Sequence, residues 1–437
     1  MIKNIISALF TFKGLYVVFV IAIVIYGNYH WPGGITPRQV ASLAMFAACL
    51  KKETAIVHNN VLGLYVLFVF SFGVSSFVTG YEIRYLTFLF SNYMVSFIAI
   101  WATKILITKY DCKDVFINLF IILGVLDGVI TICQTFGFAL GDNLVSFFHL
   151  HSSKVFMEEL NPKRAEALDY FDTYDTMSDF SDIATKPKKG ITLMEFVIPG
   201  AFNSGVYNGY FLLTTGIMSL RLLQQKLAFS RIIPWIIITI ACICVQERGP
   251  IILLLALSFY AFYKILKSHH IKKRSLSVLF ITVALITIIR AVYNFVSQIG
   301  SRIVNIGLED KGRESIYDDS FNYYLDNPVF GGYFRFTDNF DTAPHNLILN
   351  AFIYGGVIGG LAIVILLFVQ FKPIIKTLWN NISKKNEYCF FIALAYTAFT
   401  LNSFLHNRSV VTGDVIVWML WAAFYFDYKK QNQVTNK

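Results

Sequence analysis

Charge is scarce in this sequence: 15% of its 437 residues are Asp, Glu, Lys or Arg, against 56% that are hydrophobic. Soluble domains carry about 25% charged residues, so a water-soluble fold is excluded. Cysteine is scarce too. The six present (Cys49, Cys112, Cys133, Cys242, Cys244, Cys389) all fall in predicted spans or inner loops, and no structural disulfide is expected. Cys242 and Cys244 sit in an unbroken apolar run, which suits core residues better than a metal site. A P-loop, a dinucleotide fingerprint, HExxH, a GxSxG elbow and any metal-spaced Cys/His cluster are all absent. No signature for a cofactor is left. Ionisable residues inside predicted spans are few, chiefly Lys104, Asp127 and Asp414, and Lys104 with Asp127 is a candidate pair between adjacent helices. Transporters keep charge at mid-membrane and show repeated halves. Here the polar residues gather at the outer rim, which argues against transport.

Long apolar runs fill the chain instead. About twelve read as membrane-crossing helices, near 14–28, 37–50, 61–79, 86–108, 115–140, 199–220, 232–246, 250–264, 275–294, 346–371, 387–405 and 409–427. The second has a short apolar core, Val40 to Leu50, and can equally be re-entrant. The first leads straight into a multi-span chain and is not expected to be a cleaved leader. Lys and Arg collect in one set of short connections, Lys51, Lys52, Lys109, Lys113, Lys226 and Arg231 among them. The other set holds only Arg38, Arg84, Arg248 and Arg408. That asymmetry makes both termini cytoplasmic. The net charge of +10 is mostly this topology signal, and no nucleic-acid partner is needed to explain it.

The expected class is an all-α polytopic membrane protein, with two large loops on the periplasmic or extracellular side. The first five spans occupy 1–140 and the first large loop 141–198. The sixth to ninth spans follow over 199–294, a second large loop over 295–345, and the last three spans over 346–437. Function belongs in those two loops, since most other connections are short. In the first, Asp172, Asp175, Asp179 and Asp182 recur at helical spacing. They read as a solvated acidic face, with a loose cation site or a substrate-shaping lid as the alternatives. The loop ends in PGAFNSGVYNGY, where Asn203 and Asn208 can bond sugar hydroxyls or cap the helix.

Arg248 follows Glu247 at a hairpin tip on the outer surface, with Pro250 suited to the first turn of the returning helix. An arginine there pairs with Glu247, meets a lipid phosphate, or meets a ligand, and Arg290 near the end of the ninth span raises the same question. The second loop is the densest. Gly312-Arg313 opens an aromatic-rich helical pattern that ends in Asn327-Pro328-x-x-Gly331-Gly332, with Arg335 just beyond. A cation at a helix start is a misfit with the helix dipole and mildly favours a ligand anion. Tyr317, Phe321, Tyr323, Tyr324 and Tyr333 are rings that stack on sugars or rest at the membrane interface. After Pro344 comes His345-Asn346 and then an apolar helix in which Gly356 and Gly359 lie about three turns further on, on nearly the same face. Glycines there let a neighbouring backbone approach closely. An ordinary helix start with an interfacial histidine accounts for the same residues.

Taken in order, these motifs resemble the O-antigen ligase and polymerase superfamily of bacterial envelope glycosyltransferases. His345-Asn346, nine residues and then Gly356-Val357-Ile358-Gly359 is similar to that group's late histidine pattern. Arg248-Gly249, Gly312-Arg313 and the Gly200-x-Phe202…Asn208 run resemble its other marks, and the likeness covers roughly 199–371. The resemblance implies a GT-C-like fold of the bacterial cytoplasmic (inner) membrane. It implies transfer of a glycan from undecaprenyl diphosphate to a sugar hydroxyl, with inversion and no metal. His345 is then the base, while Arg248 and Arg313 hold the diphosphate with Arg290 or Arg335 as helpers. Asn346, Asn203, Asn208 and Tyr317 contact substrate, and Gly356 and Gly359 pack the helix. The expected partners are undecaprenyl-diphosphate-linked oligosaccharide repeat units, membrane lipids, a chain-length regulator and a flippase. An abundance of rings (42 Phe, 24 Tyr) and the acidic first loop favour polymerase over ligase. A lipid-linked oligosaccharide flippase is the rival from another class, and it predicts a charged central cavity.

Overall fold

Short polar residues set where the helices begin. The computed structural model describes residues 11–26, 36–53, 59–136, 138–147, 200–202, 205–245, 247–269, 311–340, 344–406 and 408–435. Thr11 caps α1 (Phe12–Val24), its hydroxyl accepting the Gly14 amide at 3.1 Å. Thr36 and Gln39 form a reciprocal capping box at 3.2 and 3.0 Å ahead of α2 (Pro37–Lys52). Asn59 opens α3 (Asn60–Val78). Then α4 (Glu82–Phe88) passes through a π turn, Leu89–Tyr93, into α5 (Met94–Thr108). There follow α6 (Lys113–Phe136), α7 (Ala139–Phe147), α8 (Gly205–Gln225), α9 (Phe229–Cys244) and α10 (Arg248–Ser268). The late elements are α11 (Lys311–Asp326), α12 (Tyr333–Phe340), α13 (Leu347–Trp379), α14 (Glu387–Asn402) and α15 (Val415–Thr435). Among the described residues every regular element is helical.

Five stretches are long and apolar enough to cross a bilayer: Asn60–Val78, Glu82–Thr108, Lys113–Thr135, Gly249–Ser268 and Leu347–Trp379. Helices α1 and α9 are apolar but shorter. The expected spans 61–79, 86–108, 115–140, 250–264 and 346–371 fall on those five, and the last runs on through Lys372 and Pro373. The expected span 275–294 lies outside the described residues, as does the acidic run Asp172–Asp182.

Two expectations are corrected. Asp414 is not inside a span: residues 409–414 form a turn. Asp414 accepts the Ile416 amide at 2.9 Å and pairs with Arg408 at 3.2 Å, so it sits at the mouth of α15. The expected Lys104–Asp127 pair is replaced by two separate partnerships. Lys104 bonds Glu53 at 2.7 Å, and Asp127 accepts the Ala201 amide at 2.8 Å. Glu53 follows the end of α2, and the ion pair ties α2 to α5.

The chain divides into one unit formed by Met1–Phe120 with Gly312–Lys437 and another formed by Ile121–Lys311. In the first, α13 packs along α3, α5 along α15, and α14 against α15. Rings of α12 enter its core. Tyr333 of α12 stacks on Tyr354 of α13 at 3.8 Å, and Phe334 lies 5.4 Å from Phe72 of α3. In the second unit α8 is buried nearly all round, as befits a helix with neighbours on every side. It packs against α9 and α10, and Gly216 makes room there for Ile238 and Leu254.

Candidate functional site

His345 is fixed through its backbone. Asn346 is the N-cap of α13, its side-chain oxygen accepting the Ile348 and Leu349 amides at 3.0 and 3.1 Å. That removes two of the orphan donors every helix start carries. Buried Asn350 donates to the Pro344 carbonyl at 2.7 Å. The Tyr317 hydroxyl of α11 donates to the His345 carbonyl at 3.2 Å. The helix start is thus tied before, at and after the histidine, a residue that is half-buried as a whole with its Nδ1 shielded from solvent. Imidazole is the side chain suited to taking a proton near neutral pH, and a rigid mount is what such a group needs.

Eight residues into α13 the helix breaks. Gly355 (φ −127°, ψ 18°) and Gly356 (φ 61°, ψ −159°) leave helical geometry. Lipid cannot satisfy the backbone groups that a break exposes. The turn between α11 and α12 does so instead. Gly332 N–H donates to the Ile353 carbonyl at 2.8 Å, and Val357 N–H to the Pro328 carbonyl at 2.9 Å. Ser71 of α3 donates to the Gly355 carbonyl at 2.7 Å. The crossing is too close for a side chain. A Cβ on Gly356 would run into the Val329 carbonyl, and one on Gly331 (φ +73°) into the Ile353 carbonyl. Asn-Pro-x-x-Gly-Gly and Gly-x-x-Gly are therefore two halves of one joint. This corrects the expectation of an unbroken helix with Gly356 and Gly359 on one face below His345. Gly359 lies against Phe68 of α3, where a Cβ would be 3.4 Å from the ring.

A further clip holds α12. Arg84 bonds Asp338 at 2.6 Å and the Tyr81 hydroxyl donates to the same carboxylate at 3.0 Å. The Arg84 guanidinium, and then the Tyr81 hydroxyl, hold the Asp338 carboxyl below the usual carboxylate range.

The expected site residues divide as follows. His345, Asn346 and Tyr317 come together. Arg313 lies in the first turn of α11 and Arg248 is the first residue of α10. The side chains of both, and the whole of Asn203 and Arg290, lie outside the described residues. Arg335 is exposed on α12 and lines a polar cleft. Asn208 does not cap: it is fully buried within α8, donating to Thr131 at 2.9 Å. His406 is the residue the sequence expectations pass over. It is buried in the turn after α14, its ring edge-on to His345 with 6.2 Å between centroids. The signal for it is the repeated dipeptide, His345-Asn346 and His406-Asn407.

A long apolar helix carrying a rigidly mounted rim histidine, inside a bundle of further apolar helices, defines a multi-pass membrane protein with its polar chemistry at one helix mouth. Residues 233–364 match the O-antigen ligase family. That segment, which includes Arg248, Arg313 and His345 and leaves out Asn203 and Asn208, is similar to the O-antigen ligase family and supports the resemblance to the O-antigen ligase and polymerase superfamily. Neither the ligase nor the polymerase branch is singled out. No curated protein and no solved structure matches the chain.

Proposed function

We propose that this protein is a surface-polysaccharide polymerase of the bacterial inner membrane, with both termini in the cytoplasm. It passes a growing glycan from undecaprenyl diphosphate to a sugar hydroxyl of another lipid-linked repeat. The observation that carries the reading is the mounting of His345 at the start of α13, within the segment matching O-antigen ligases. His345 takes the proton of the acceptor hydroxyl as the new C–O bond forms at the anomeric carbon. The bond from that carbon to the phosphate oxygen breaks on the opposite face, and its electron pair leaves with the diphosphate. Inversion follows, and no metal is required. Arg248 and Arg313, with Arg290 in support, offset the charge on the leaving diphosphate, for which guanidinium forks are suited. The Asn346 side-chain oxygen is engaged in capping, so its contact to the acceptor runs through the amide nitrogen. His406 steadies the His345 ring. A chain-length regulator and a flippase complete the expected partnership.

Ligation to a lipid A core is the second reading, favoured by the family description itself. Complementation of a deletion strain, scored on a polysaccharide gel, separates the two. A ladder collapsing to one repeat supports polymerase, whereas long glycan left on the carrier lipid supports ligase. His345→Ala and Arg248→Ala each abolish long glycan while insertion stays normal. Wild-type chain lengths from both variants would reject either reading.

A further inference from the structure

Between α11 and α12 lies an open cleft of about 330 Å³ whose polar side chains have no function in the reading above. Asp319, Asn322 and Asp326 line it from one face of α11, at the spacing of successive helical turns. Arg335 and Asn339, one turn apart on α12, line the other side. Tyr323 and the partly exposed Phe340 supply rings. Its volume falls in the range of small-ligand sites.

The walls are built to stay apart. Tyr323 is pinned by its hydroxyl to the Gly332 carbonyl at 3.0 Å and packs edge-on against Phe336. The turn joining the two helices is bonded into the break in α13. Asn327, also on the lining, is committed to the Tyr323 carbonyl at 3.0 Å, but five other polar side chains are not. Among the described residues, the side chains of Asp319, Asn322, Asp326, Arg335 and Asn339 make no hydrogen bond or ion pair. Two carboxylates and a guanidinium share one small space without closing on each other.

We propose that this cleft is a sugar-binding subsite, which takes a neutral or amino-bearing residue of the glycan and not its diphosphate head. The proposal rests on the glycan-transfer reading for its ligand class. Sugar hydroxyls donate and accept together, and the cleft offers both: carboxylate and amide oxygens accept, amide nitrogens and Arg335 donate. The two rings give an apolar surface for the C–H face of a pyranose. Two carboxylates against one guanidinium leave the cleft formally negative, which disfavours an anionic head group. Arg335 therefore belongs to sugar recognition, and the diphosphate falls to the other arginines.

The test uses the full chain in lipid nanodiscs, with two probes. One is the neutral oligosaccharide released by mild acid from the host's own lipid-linked repeats, the other inorganic pyrophosphate. Asp326→Asn and Asn339→Ala each weaken oligosaccharide binding about tenfold and leave pyrophosphate binding unchanged. Both positions are exposed, and an unchanged thermal midpoint confirms an intact fold. Oligosaccharide binding at the wild-type level in both variants overturns the proposal. So does Arg335→Ala if it loses pyrophosphate and keeps the oligosaccharide. The two readings fail separately: normal transfer by His345→Ala removes the catalytic assignment, whatever the binding of sugar to the cleft.

Discussion

Two stretches rich in glycine and asparagine lead into apolar helices, one at 200–208 and one at 344–356, and they put the same residue types to opposite use. At the first, the polar groups of the described residues bond inward. Asp127 accepts the Ala201 amide, Gln134 donates to the Gly200 carbonyl at 3.0 Å, and Asn208 bonds Thr131. Gly200 (φ +60°) is required there because Asp127, Asn208 and Thr131 crowd the place of a Cβ. At the second, the asparagines bond the backbone alone and the histidine stays half-buried. One stretch is a sealed knot, the other a mount. Position relative to the helix start decides it: Asn346 precedes the first turn, whereas Asn208 lies inside it.

The strongest way to break that comparison is through chemistry. His345→Ala removes the base and lowers transfer by about a hundredfold to ten-thousandfold, with unfolding temperature little changed. The measurement is chain assembly from lipid-linked repeats in membranes. Substantial residual transfer would make the mount merely structural.

Next in size is the joint that carries the mount. Gly356→Ala puts a side chain on backbone at φ 61°, ψ −159°, a region essentially reserved for glycine, which costs about 1–3 kcal/mol, and drives a methyl into the Val329 carbonyl. The turn over 328–332 has to detach from α13. Amide exchange at Gly332 and Val357 then rises sharply, and glycan length falls although His345 is intact. Unchanged exchange at both amides would mean that the joint is not what orders the turn.

The knot responds differently. Asp127→Ala leaves the buried Ala201 N–H without its carboxylate, a loss of about 1–3 kcal/mol. Thermal unfolding in detergent shifts down, while the folded fraction makes glycan of normal length. A short-chain product from fully folded Asp127→Ala protein would put the knot in the active site and erase the contrast.

Much of this was legible in the sequence, and the rest was hidden for physical reasons. Long apolar runs declare helices because bilayer crossing leaves the backbone no other economy, so α3 and α6 are found within a few residues, as is the start of α13, whose end at Trp379 lies well past the expected 371. The helix start at His345-Asn346 is also legible, since Pro344 and a polar pair precede an apolar run, whereas the cap made by Asn346 went unread there. The break at Gly356 is not legible. Gly-x-x-Gly at helical spacing fits close helix packing as well as it fits a break, and its bonding partner lies back at Pro328–Gly332. Lys104 with Glu53 was hidden likewise, because the acid lies just past a helix end, three elements earlier in the chain. His406 reaches His345 only through folding.

The smallest effect tests how the cleft's second wall is held. Asp338 on α12 is tied to Arg84 and Tyr81 at the surface, where water screens the pair. Its folded-state carboxyl titrates below the usual range because of Arg84 first and Tyr81 after it. A depressed folded value means that the clip contributes fully above the ordinary carboxylate value of about 4, and is lost as pH falls through the lowered one. Amide protection in 333–340 therefore declines on acidification in the wild type. In Arg84→Gln it starts lower and changes less over the same range. Ring burial at Tyr333 and Phe334 is untouched by pH, so α12 stays docked and only its outer end loosens. Complete release of α12 in acid would show that the exposed ion pair, and not the stacked rings, holds this wall, and would move the cleft from the rigid part of the molecule to the adjustable part.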